Sequence, residues 1–63
     1  MVTAQDIEEI IKSDGWYFVR INGSHHQYKH PTKKGLVTIP FHKKPKDLAK
    51  KTVSSILKQA GLK

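Results

Sequence analysis

Apolar residues recur along this chain at two different periods. Ile7, Ile10 and Ile11 stand at i, i+3 and i+4, the spacing of one helical face. Thr3 ahead of them, with Asp6 three residues on, has the form of a capping box with an acidic N3 position. Asp6, Glu8 and Glu9 fall in the first half of that stretch, where they complement the helix dipole, and Ser13-Asp14-Gly15 supplies a stop. A short amphipathic helix is predicted over about residues 4–13. The period then changes. Trp16-Tyr17-Phe18-Val19-Arg20-Ile21 is aromatic and β-branched, and Asn22-Gly23 is a strong hairpin signal, so a strand and a returning strand at about His25 to His30 are expected. After Pro31-Thr32-Lys33-Lys34-Gly35, the run Leu36-Val37-Thr38-Ile39-Pro40 reads as a third strand, with Pro40 at its end or on an edge. Val53, Ile56, Leu57 and Ala60 return to helical spacing, with Asp47 as a candidate cap and Gly61 as a stop, for a helix over about residues 48–60.

This order, α-β-β-β-α, predicts an α+β domain. Both apolar helix faces would pack on one side of an antiparallel three-stranded sheet, leaving the other side open. With Asn22 and Gly23 as the two loop residues, Ile21 stands opposite Ser24, Arg20 opposite His25, Val19 opposite His26 and Tyr17 opposite Tyr28. Tyr17, Val19, Ile21, His26 and Tyr28 then look toward the helices, with His26 and Tyr28 as core groups hydrogen-bonded to them. Trp16, Phe18, Arg20, His25, Gln27 and Lys29 look outward. His25 is thereby singled out on the open face.

With 63 residues, one domain spanning 1–63 is expected. A chain this short buries roughly 60% of its unfolded surface, so an active site should lie on the surface and not in a deep cavity. The formal charge of +7, from 12 Lys and Arg against 5 Asp and Glu, favours an anionic partner: nucleic acid, anionic membrane or an acidic protein. From Gly15 to Lys46 there is no acidic residue at all, while Arg20, Lys29, Lys33, Lys34, Lys43, Lys44 and Lys46 are basic. Such a segment attracts phosphate. The absence of cysteine excludes disulfides and thiolate metal sites and suits a reducing compartment. No apolar run is long enough to span a membrane, and Met-Val-Thr-Ala-Gln-Asp lacks the features of a signal peptide, so a cytoplasmic protein without a membrane partner is expected.

Gly15-Trp16, then Gly23-Ser24-His25-His26-Gln27-Tyr28-Lys29-His30-Pro31, then Gly35-Leu36-Val37-Thr38-Ile39-Pro40, and finally Ala60-Gly61-Leu62 form an ordered set that covers essentially the whole chain. In that order the set resembles the HicA family of toxins from HicA/HicB toxin-antitoxin pairs. The resemblance implies a double-stranded-RNA-binding-domain-like fold, metal-independent cleavage of mRNA, no cofactor, and inhibition by a HicB-like antitoxin, with a hetero-oligomer as the inhibited form. The histidine of the family's Gly-Ser-His motif is its catalytic residue, and it maps onto His25.

The residue types suit that chemistry. RNA carries its own nucleophile, the 2′-OH, so a ribonuclease needs a base, cations for the phosphorane charge and a way to hold the strand in line. Imidazole ionises near neutrality and makes His25 the candidate base. The leaving-group proton would come from His25 itself, His26, His30 or water. Arg20 and Lys29 are candidates for phosphate contacts, and Lys33, Lys34, Lys43, Lys44 and Lys46 for tracking the backbone. Gly23 and Ser24 form the turn that supports His25, with Gly23 supplying a positive φ. Trp16 and Phe18 are candidates for stacking on bases, or for meeting a protein partner or a helix edge. Ser24 and His25 are no Ser-His nucleophile pair, because adjacent strand residues point to opposite faces and no carboxylate is near. A metal site drawn from His25, His26, His30 and His42 is disfavoured, since only His26 and His30 share a strand face and no other ligand completes the set. The alternatives in other classes are a non-catalytic RNA-binding module and a purely protein-interacting domain.

Overall fold

A computed structural model describes residues 2–41 and 47–63. Its order is helix α1 (Ala4–Ser13), strands β1 (Tyr17–Asn22), β2 (His25–Lys29) and β3 (Val37–Pro40), and helix α2 (Lys50–Gln59). The strands form one antiparallel sheet in the order β1-β2-β3, as expected. Both helices pack against β3 and against each other, which leaves β1 at the far edge.

The capping box forms as read: Asp6 N–H donates to Thr3 Oγ1 at 3.2 Å, and Thr3 N–H donates to Asp6 Oδ2 at 3.0 Å. The second of these bonds leads in holding the Asp6 carboxyl below the usual carboxylate range. At α2 the expectation fails. Its N-cap is Ala49 without a side-chain cap, and Asp47 instead forms an isolated backbone bridge with Thr3, next to a bond from Leu48 N–H to Val2 O at 2.6 Å. Backbone pairing between the two segments that precede the helices takes the place of a cap.

Ile7, Ile11, Trp16, Tyr28, Val37, Ile39, Ile56 and Ala60 form the core. Trp16 is the first correction. Expected on the open face, it is buried at 2% exposure just ahead of β1, where its indole N–H donates to Ala60 O at 3.3 Å. An indole sized for the core and given a carbonyl partner has nothing to gain from solvent.

The hairpin is the second correction. Gly23-Ser24, not Asn22-Gly23, is the loop, so Asn22 faces His25, Ile21 faces His26 and Arg20 faces Gln27. This moves the pairing by two places, which preserves the side each residue faces. Arg20, His25, Gln27 and Lys29 therefore stay on the open face. A β-bulge between Phe18 and Arg20 then inserts Val19 without a partner, setting Phe18 opposite Tyr28 and Tyr17 opposite Lys29. Tyr17 and Phe18 thus exchange the sides predicted for them. Phe18 meets Tyr28 and His26 edge-on, at ring centroid distances of 5.9 and 5.7 Å.

Candidate catalytic face

Residues 23–30 place three histidines in three different environments. His30, just past β2, is a clamp. Its Nδ1 accepts the backbone N–H groups of Thr32 and Lys33, both at 3.1 Å, which puts the ring hydrogen on Nε2 for donation to Asp14 O at 2.7 Å. The ring also meets Trp16 edge-on at 5.2 Å. His26 is half-buried and stacked on Phe41 at 3.9 Å, with planes 20° apart. It packs on rings and does not make the helix hydrogen bond expected of it, whereas the Tyr28 hydroxyl does donate to Glu8 on α1.

His25 differs from both. It opens β2 on the uncovered side of the sheet, exposed, and among the described residues its ring has no hydrogen-bond partner. The backbone around it is fixed. It pairs with Asn22 on one side and Pro40 on the other, and Phe41 N–H donates to Ser24 O at 2.7 Å, tying the turn to the end of β3. Gly23 turns at φ +65° with open space where a Cβ would project, so its need is conformational. A turn anchored on both sides by backbone pairing thus carries an imidazole that no described residue engages.

Cations flank it unequally. Arg20 Nε–H donates to Gln27 Oε1, which aims the guanidinium across the open face diagonally from His25. Gln27 was not among the candidate site residues, because its role depends on a register that the residue pattern left ambiguous. Lys29 and Lys34 are exposed. Lys33 is committed elsewhere: its ammonium pairs with the Asp14 carboxylate and donates to Ala60 O at 3.0 Å. That contact is the main cause holding the Asp14 carboxyl below the usual carboxylate range. The candidates Lys43 and Lys44, with His42 and Lys46, lie outside the described residues. Among the described residues no three His, Asp or Glu side chains gather into a metal-binding cluster, and His26 and His30 are occupied as above.

The open side of the sheet thus presents an exposed imidazole and a guanidinium within a segment that has no acidic residue from Gly15 to Lys46. The family model for the HicA toxin of bacterial toxin-antitoxin systems matches residues 4–62. The chain belongs to this toxin family. A toxin of this kind implies an antitoxin partner. No curated protein matches the chain. No helix among the described residues is long and apolar enough to cross a membrane.

Proposed function

We propose that this HicA-family toxin is an endoribonuclease that cleaves mRNA without a metal ion, with His25 as the base, and that a HicB-like antitoxin silences it in a hetero-oligomer. The observation that carries the reading is the contrast among the histidines. His30 and His26 are absorbed by the scaffold, while His25 stands exposed on the same face as Arg20, in a segment with no acidic residue from Gly15 to Lys46.

Nε2 or Nδ1 of neutral His25 removes the 2′-OH proton, and the 2′-oxygen attacks the adjacent phosphorus. The P–O5′ bond breaks, leaving a 2′,3′-cyclic phosphate and a 5′-hydroxyl. Arg20, oriented by Gln27, faces the charge that builds on the phosphoryl oxygens, and a guanidinium suits two of them at once. With both His30 nitrogens engaged and His26 held between Phe18 and Phe41, the leaving-group proton comes from His25, which has just taken one up, or from water at this exposed face. Lys29 and Lys34, with Lys43 and Lys44 of the basic segment, track the flanking phosphates. Lys33, held by Asp14, serves the loop more than the RNA.

The test is His25→Ala beside wild type on a purified oligonucleotide. The variant should keep its fold within about 0.5 kcal/mol, as a surface change does, and lose both cleavage and growth arrest. Chelator should leave wild-type cleavage intact, and deoxyribose on the 5′ side of the scissile phosphate should permit binding but block cutting. A 5′-phosphate product, or near-normal cleavage by His25→Ala, would refute the assignment.

A further inference from the structure

The two edges of the sheet are not alike. On β3 the backbone N–H of Thr38 is taken by Gln59 Oε1 of α2 at 3.0 Å, and both helices crowd that strand, so the edge is closed to another chain. On β1 nothing comparable exists among the described residues. Its only strand partner is β2, and all six of its residues are exposed. The N–H and C=O groups that point away from β2 face no other strand, and folded proteins seldom leave such a row unguarded.

The side chains along this edge are the wrong ones for plain solvent contact. Tyr17, Phe18, Val19 and Ile21 are 48%, 44%, 38% and 57% exposed, on both sides of the strand. The guards that usually blunt an edge are reduced to the Val19 bulge and to Arg20, whose guanidinium is turned inward onto Gln27. The edge is also continuous with the candidate site, because Asn22 of β1 pairs with His25.

We infer that β1 is the docking edge for the antitoxin, which adds an extended segment of its own as a fourth strand beside β1, with apolar residues over Phe18 and Ile21 and acidic residues toward Arg20 and Lys29. This rests on the antitoxin partner that the family implies and specifies where and how it binds. Charge chooses the occupant: between Gly15 and Lys46 the chain has only basic ionised side chains, so a second copy or another basic chain is repelled where an acidic segment is drawn in. Six strand residues span about 20 Å, enough for main-chain bonding to fix the register and for the edge apolar side chains to provide affinity. A strand seated there would lie alongside His25 and carry the body of the antitoxin over the open face.

The experiment uses the full-length toxin and the purified product of the reading frame beside it. Ile21→Glu should weaken that complex at least tenfold while native circular dichroism and RNA cleavage by the free toxin are retained, and Ile10→Glu, on the exposed side of α1, should leave affinity within twofold. Independently of any variant, hydrogen exchange on the wild-type pair should show β1 amides becoming protected on complex formation. Unchanged affinity of Ile21→Glu, protection confined to β3 and the helices, or a neighbouring product that does not bind would overturn the inference. Concentration-dependent protection of β1 in the toxin alone would give the edge to a second copy, and slowed cleavage by well-folded Ile21→Glu would give it to RNA. If wild type cuts no RNA, the ribonuclease reading fails, whereas the exchange and affinity results still decide the edge.

Discussion

Alkaline pH should destabilise this fold through one residue, Tyr28. Its side chain is fully buried and its hydroxyl donates to Glu8. Ionisation would place a phenolate in the core against a carboxylate, so burial first and Glu8 second push the Tyr28 hydroxyl well above the ordinary tyrosine range. The folded state therefore holds this proton at pH values where the unfolded chain has released it. Stability is fully present below the unfolded value of about 10 and falls above it by about 1.4 kcal/mol per pH unit. Tyr28→Phe removes both the titration and the hydrogen bond. The bond is worth about 1.5 kcal/mol, the low end for a charged acceptor, since Glu8 keeps Lys12 Nζ at 3.7 Å as a partner. Wild type should thus be the more stable protein at pH 7, lose that lead near pH 11 and fall behind beyond it. Urea unfolding of both proteins, followed by far-ultraviolet circular dichroism across this range, measures the difference directly. Every other ionisable group is common to the two proteins and cancels in the comparison. A constant offset between the two proteins from pH 7 to pH 11.5 would refute the reasoning.

What was legible in the residues follows the range of the interactions involved. The Thr3–Asp6 capping box and the Ile7, Ile11 face of α1 depend on neighbours within one or two helical turns, and both appear as read. His25 on the open face was also legible, because the Gly23-Ser24 loop moved the pairing by two places and spared the side it faces. Tyr17 and Phe18 were misplaced because a bulge at Val19 leaves no mark in a simple alternation of apolar and polar residues. Trp16 was misread for a related reason. Its burial is decided by Ala60 and His30, 44 and 14 residues away in sequence, and not by the strand it precedes. Lys33 shows the limit of charge counting. The acid-free segment begins one residue after Asp14, and that carboxylate draws in one of the lysines counted toward RNA.

Acid should weaken the fold through Asp14 and Asp6, whose carboxyls sit below their ordinary values: their contribution is present above the unfolded value near 4 and lost as pH falls through the folded ones. Melting curves should show less loss between pH 5 and 2 in Lys33→Met than in wild type, and equal losses would contradict the Asp14–Lys33 pairing. Trp16→Phe should cost on the order of 1–3 kcal/mol in urea unfolding, since Ala60 O loses its buried donor; a change below a few tenths would mean that the indole bond is idle. The sharpest contrast lies between two glycines. Gly23 and Gly15 both adopt positive φ, +65° and +108°, but a Cβ at Gly23 meets nothing within 4 Å, whereas one at Gly15 would stand 2.8 Å from His30 Nε2. Gly23→Ala should therefore cost only the backbone penalty of about 1–2 kcal/mol, while Gly15→Ala must also drive His30 off Asp14 O and loosen the loop that its Nδ1 holds. The excess belongs to the Gly15–His30 contact, so Gly15→Ala introduced on top of His30→Ala should add little beyond its backbone penalty. If Gly15→Ala costs as much with His30 removed as with it present, the close approach of this ring to the end of α1 is not what requires the glycine.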